Sequence, residues 1–214
     1  MKTLLFLVLL AYADAGLAIS KRKEAMRKLS RIKTTLNKAK LLYIRERFDS
    51  LKNRVATKLA TPKRKATLAA AMRKLKAPKK DRKLGNSIED VNSRSRIGDF
   101  LYERDMVLTI AQAEELLQDV DARRRRQAFR DSNYPYTIWQ EGVHYSFHDN
   151  ATAKVRSVFR KAIKAWSKNT CIDFYEKEER IEVMVEDGCW SHVGNVHKVQ
   201  ELSLGDGCES VRDL

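Results

Sequence analysis

Residues 142–166 read GVHYSFHDNATAKVRSVFRKAIKAW, and the repeat of apolar positions changes period once within them. Val143, Tyr145 and Phe147 alternate with polar neighbours, the pattern of a half-buried strand. From Val155 onward Phe159, Ile163 and Trp166 follow at spacings of 4, 4 and 3, which is one face of a helix. Asp149 or Asn150 is placed to cap that helix. Short apolar runs at 172–175, 181–185, 189–193 and 201–204 read as further strands. Several short strands and one long amphipathic helix predict an α+β domain, an open sheet with helices packed on one face.

Upstream the composition differs. The chain of 214 residues carries 43 Lys plus Arg against 28 Asp plus Glu, a net charge of +15. Residues 21–96 hold 26 basic and 6 acidic residues, whereas 97–214 hold 16 basic and 21 acidic. A nucleic-acid-coating protein would be basic throughout, so the asymmetry predicts a basic module joined to a mildly acidic one. Eight glycines and three prolines exclude collagen-like and Pro-rich low complexity.

Ile44, Phe48, Leu51, Val55 and Leu59 put one narrow apolar stripe on a Lys/Arg-rich helix, and such a stripe needs a partner surface. Thr61-Pro62 opens a second short helix through Leu68, Met72 and Leu75, and Ala77-Pro78 stops it. The pentapeptide Ala-Met-Arg-Lys-Leu occurs at 25–29 and 71–75, too few copies for a solenoid. Basic helices of this kind bind phosphate backbones or anionic membranes. Only Tyr43 and Phe48 interleave aromatics between 21 and 96, so the surplus reads as a solvated face and no nucleic acid is expected as a partner.

The first 18 residues read as an address. Lys2 precedes the apolar run Leu4 to Tyr12, and Ala13-Asp14-Ala15 offers small residues for cleavage near Ala15 or Ala18. The run is about half of the ~20 residues a membrane span requires, so a secreted protein with no membrane span is expected. Cysteines in that compartment pair, and three of them, all within the last 44 residues, leave one over.

Residues 97–126 read as a connector. Thr109-Ile110-Ala111-Gln112 has the form of a capping box, and Ala113, Leu116, Leu117 and Val120 continue it as a helix. Arg123-Arg124-Arg125-Arg126 complements a helix C-terminus and also fits the acidic subsites of a proprotein convertase. Cleavage after Arg126 would leave Gln127 as a new N-terminus. The expected organisation is a signal peptide at 1–18, a basic helical propeptide at 19–126 and a domain at 127–214. Asn150-Ala151-Thr152 is an N-glycosylation sequon, placing a glycan on Asn150.

From Arg123 onward, Arg-Arg-Arg-Arg-Gln-Ala, Tyr134-Pro135, Trp139, residues 142–147, Trp166, Thr170-Cys171-Ile172-Asp173-Phe174, Gly188-Cys189-Trp190-Ser191 and 200–208 resemble in order and spacing the amino-terminal half of the astacin family of secreted zinc endopeptidases. Residues 87–92 and 101–109 resemble the propeptide of the same family. The resemblance implies a truncated zincin-like lobe with a twisted, mainly antiparallel sheet and one long helix. In the family a propeptide aspartate occupies the open zinc position and keeps the zymogen latent. Asp105 matches that aspartate, and Arg104 stands where glycine is expected. A carboxylate is a good fourth oxygen ligand for zinc and displaces the water that would attack the substrate. The resemblance also implies a Cys189–Cys208 disulfide, closing a loop of about 20 residues and worth about 3 kcal/mol of chain entropy. Cys171 is then the odd thiol, open to intermolecular pairing.

The family's H-E-x-x-H-x-x-G-x-x-H segment, which holds zinc and supplies the general base, does not occur in these residues. His144, His148, His192 and His197 read as surface or strand histidines rather than ligands. Zinc is therefore the family's cofactor but is not expected on this chain, which is expected to be truncated before the zinc site and to carry no catalytic residues. The sheet and the 151–167 helix would then expose the apolar face that the zinc helix covers in the family. By family the function is endoproteolysis of extended peptides, with 189–193 offering an edge for substrate pairing and a peptide or protein substrate for any full-length form. The alternatives are a non-catalytic secreted binding protein or decoy, and a basic helical binder of nucleic acid or membrane surface.

Overall fold

The computed structural model of the chain describes residues 19–59, 87–121, 133–177 and 180–210. The signal segment, the short helix expected after Thr61-Pro62, and Arg123 to Gln127 lie outside the described residues.

Among the described residues the segment before residue 127, the leader, contributes helix α1 (19–30), α2 (Lys38–Leu59), α3 (Ile88–Ser95), a 3-10 turn (Ile97–Phe100), strand β1 (Met106–Val107) and α4 (Ile110–Asp121). The lobe follows as β2 (Val143–Phe147), α5 (Ala153–Asn169), β3 (Phe174–Glu176), β4 (Ile181–Met184), β5 (Cys189–His192), β6 (Gln200–Leu204) and a 3-10 turn (Cys208–Ser210). The α+β class and the long helix agree with the sequence reading.

All six strands form one sheet in the order β1-β5-β6-β4-β2-β3. It is not mainly antiparallel, as expected; it is mixed, and only β5 and β6 run antiparallel, the other four pairings being parallel. The reason lies in the connections. β3 and β4 flank β2 only after α5 has crossed over, and a helical crossover returns the chain in the same direction. Hydrophobic alternation specifies which face of a strand is buried and carries no information about the direction of its neighbour.

Helix α5 starts two or three residues later than an Asn150 or Asp149 cap would place it. Thr152 is the N-cap, its hydroxyl accepting the Val155 N–H at 3.2 Å. Asn150 is already engaged: its amide exchanges two hydrogen bonds, each of 3.0 Å, with the backbone of Val185. The apolar face of α5 packs on the sheet through Phe159, which meets Tyr145 and Phe147 edge to face at 5.1 and 5.8 Å between centroids. The capping box of α4 forms as the sequence spells it. Thr109 Oγ1 accepts from Gln112 N at 3.2 Å, and Gln112 Oε1 accepts from Thr109 N at 2.9 Å.

The basic segment does more than present a solvated face, and the stretch 97–126 read as a connector contributes Ile97, Phe100 and Val107 to a core. Leu29, Ile32, Leu36, Leu41, Leu42, Ile97, Phe100 and Val107 form a buried cluster closed by Trp190 of β5. The α2 stripe finds its partner surface too. Ile44 and Phe48 pack with Leu108, Ala113 and Tyr102, and the Phe48 and Tyr102 rings lie 5.5 Å apart. Successive strand residues face opposite ways, so Cys189 enters the lobe core while Trp190 enters the leader core. Burying an indole at this junction ties the two modules together through apolar area.

Candidate active-site cleft

The leader reaches the sheet through one tight turn. Ser87 caps α3 by accepting from Asp90 N at 3.2 Å. One turn on, Asn92 occupies a position on the face of α3 that Ile88 opens, and it is fully buried. Its side-chain amide donates to Arg104 O at 2.8 Å and to Cys189 O at 2.7 Å, and its carbonyl accepts from Cys189 N at 2.7 Å. The turn then closes on itself: Tyr102 and Met106 exchange two backbone hydrogen bonds, both of 3.0 Å.

Inside that turn Glu103 and Arg104 have φ of 45° and 79°. Arg104 therefore holds the left-handed conformation that glycine adopts without cost, at the position where the resemblance led to an expectation of glycine. Its Nη2 donates to Ser93 Oγ at 2.6 Å, while its Nε is buried without a partner.

Asp105 follows, at the start of β1. Its carbonyl accepts from Ser191 N at 3.2 Å, and Met106 and Val107 run parallel to Ser191 and His192. The edge of β5 that sequence reasoning offered to a substrate is thus taken by the leader itself. Asp105 also lines a cleft of about 560 Å³ between sheet and helix, walled mainly by Val143, Phe159, Ile163, Trp166, Phe174 and Leu202. Trp166 is 53% exposed at its rim. Burial pushes the Asp105 carboxyl above the usual carboxylate range; its own backbone opposes this, and Glu103 and Glu89 add to it.

The remaining singled-out residues are placed as follows. Cys189 and Cys208 are disulfide-linked with Cα atoms 5.6 Å apart, and Cys171 is exposed and free among the described residues. His192 Nε2 meets Glu201 Oε2 at 3.2 Å, and that hydrogen bond is the main cause holding the Glu201 carboxyl below its usual range. His144 packs on the ring of Tyr175, His148 Nδ1 accepts from Asn150 N, and His197 contacts Tyr136 O. Among the described residues no three His, Cys, Asp or Glu side chains converge on a point that could hold a metal ion. Asp105 is a single donor, so the described residues do not by themselves fit a zinc ion, which takes three or four protein ligands.

Sequence reasoning missed Asn92 and the double life of Trp190. A faint signal existed for the first: Ser87-Ile88-Glu89-Asp90 has a capping form, and Asn92 interrupts the apolar face begun by Ile88.

Residues 131–212 match the family model described as Astacin, a peptidase family. The likeness of this segment is to the astacin peptidase family. Among curated relatives, the astacin segment and residues before it are similar to zinc metalloproteinase nas-31 of Caenorhabditis elegans, at 39% identity over 135 residues, covering 58% of this chain and 22% of the relative. Zinc metalloproteinase nas-29 of the same organism is 34% identical, with 58% and 28% covered. Meprin A subunit alpha of Rattus norvegicus is 32% identical over 94 residues, with 42% and 12% covered. The chain thus spans about a quarter or less of the length of these relatives. The nas-31 match covers more of the chain than 131–212 occupies, so the likeness extends into the leader.

Proposed function

We propose that the chain is the secretory signal, latency-conferring leader and amino-terminal lobe of an astacin-type zinc endopeptidase, processed by a proprotein convertase after Arg126. The observation that carries this reading is the leader strand β1 lying along β5 with Asp105 beside the cleft. An extended peptide binds a sheet edge through main-chain hydrogen bonds, and here Asp105 O already holds Ser191 N. While β1 is in place, a substrate cannot pair there; once it leaves, the free edge of β5 suits an extended peptide. The zinc ligands and general base are not among these 214 residues, so the chain alone is read as catalytically silent. The family match and the named metalloproteinase relatives support the peptidase reading.

The test is expression of the chain in a secretory cell line with active convertase. The expected result is a medium fragment beginning at Gln127, abolished by Arg126→Ala. A secreted chain still intact past Arg126, or one retained in the cytosol, overturns the reading.

A further inference from the structure

A protease reading leaves the leader's surplus of cations unexplained. Between residues 19 and 54 stand thirteen Lys or Arg and three acids. Each acid is already paired within the segment: Glu24 with Lys28 at 2.8 Å, Glu46 with Arg22 at 3.2 Å and Asp49 with Arg45 at 3.6 Å. Lys21, Lys23, Arg27, Arg31 and Lys33 are exposed and, among the described residues, form no ion pair. Lys23, Arg27 and Arg31 follow at intervals of four, on one face of α1 and the turn after it. The stripe is about 12 Å long at the rise of a helix.

What surrounds the stripe narrows the kind of partner. A membrane-surface helix needs a continuous apolar face to insert; Leu29, Leu41, Leu42, Ile44 and Leu51 are buried, and Ile19 and Met26 are the two large apolar side chains that α1 leaves exposed, too few for such a face. A single-stranded nucleic acid needs several free aromatic platforms; α1 has none, Phe48 packs on Tyr102, and Tyr43, 42% exposed with its hydroxyl on Glu114 at 3.2 Å, is a single ring. What remains is a polyanion held by charge alone, through release of its condensed counterions.

We infer that α1 and the turn after it form a docking surface for a sulfated polysaccharide, holding the latent chain at an anionic matrix. The choice of a polysaccharide over duplex nucleic acid rests on the secretory reading of residues 1–18; the cationic surface does not. The surface belongs to the leader, so cleavage after Arg126 would separate the anchor from the lobe unless the Trp190 contact holds.

The test uses the full chain on immobilised heparin, with a salt gradient and equilibrium binding at 0.15 M salt. Lys23→Glu, Arg27→Glu and Arg31→Glu are combined in one variant. The control combines Lys161→Glu, Lys164→Glu and Lys168→Glu on the exposed side of α5, which changes net charge equally. Circular dichroism confirms that both fold. The expected result is about tenfold or greater weakening for the leader variant, with the α5 variant close to the parent. Equal weakening in both would reduce the effect to net charge and overturn the docking surface, as would an unchanged leader variant. Tighter binding to a DNA duplex or to phosphatidylserine vesicles than to heparin would overturn the polysaccharide. Secretion into the medium is scored separately, and a chain kept in the cytosol with heparin binding intact would remove the polysaccharide while leaving the cationic surface.

Discussion

The side-chain amide of Asn92 is bonded at both ends to the backbone of Cys189, donating to its carbonyl and accepting from its N–H, each at 2.7 Å. In effect a leader side chain acts as one rung of a strand at the start of β5. Asn92→Ala leaves both groups of Cys189 and the carbonyl of Arg104 buried and unpaired. A loss of about 2–4 kcal/mol in folding stability is expected, read as a lower denaturation midpoint. Asn92→Asp keeps the acceptor but removes the donors, and is expected to fail as badly.

Arg104 carries the opposite expectation. Arg104→Gly removes the left-handed strain and the orphaned Nε, at the loss of one exposed hydrogen bond to Ser93. A gain of about 0.5–1 kcal/mol in folding stability is expected, read as a higher thermal midpoint. A loss of stability would show that the guanidinium contact outweighs the strain.

Trp190 is the shared wall of leader and lobe, 3% exposed. Trp190→Ala is expected to cost about 3–5 kcal/mol. Separating the leader after a cut at Arg126 should also expose the indole, shifting tryptophan emission to the red. The shift should be much smaller in Trp190→Phe.

Asp105 gives the leader contact a pH dependence of definite sign. Its carboxyl is raised by burial, so the docked state binds more protons than the undocked one between the ordinary and the raised value. Stability of the docked leader should rise as pH falls through that window and be level, at its lower value, above it. Asp105→Asn should flatten this part of the profile in urea midpoints measured from pH 4 to 7. The His192–Glu201 pair acts the other way and at lower pH. Glu201 is lowered, so its contribution is present above the ordinary carboxylate value and fades below it, and its side chain is 32% exposed, which keeps it small.

Cys171 is exposed with no partner among the described residues. Oxidised preparations should contain disulfide-linked dimers on non-reducing gels, and Cys171→Ser should abolish them.

The parts of this fold legible in the sequence are those whose cause is local. Thr109 and Gln112 are three residues apart, and α5 repeats its apolar face over about three turns; both could be read directly. The direction of the strands could not, because Val143, Tyr145 and Phe147 would alternate identically beside a parallel or an antiparallel neighbour. β1 is two residues long and has no periodicity to read. The cleft was legible only as an expected apolar face. Its occupation by Asp105 depends on Asn92, whose partner Cys189 lies 97 positions along the chain.

Gly188 has φ of +89°, and a Cβ there would stand 2.5 Å from Ile97 Cγ2 and 2.6 Å from Asn92 Oδ1. Those two neighbours belong to the leader, not to the lobe that contains the glycine. The two modules are therefore not interchangeable cassettes. A leader grafted from a relative would have to bring side chains that spare this notch. A lobe with any side chain at 188 would reject the leader it was synthesised with, so the two halves are constrained to vary together.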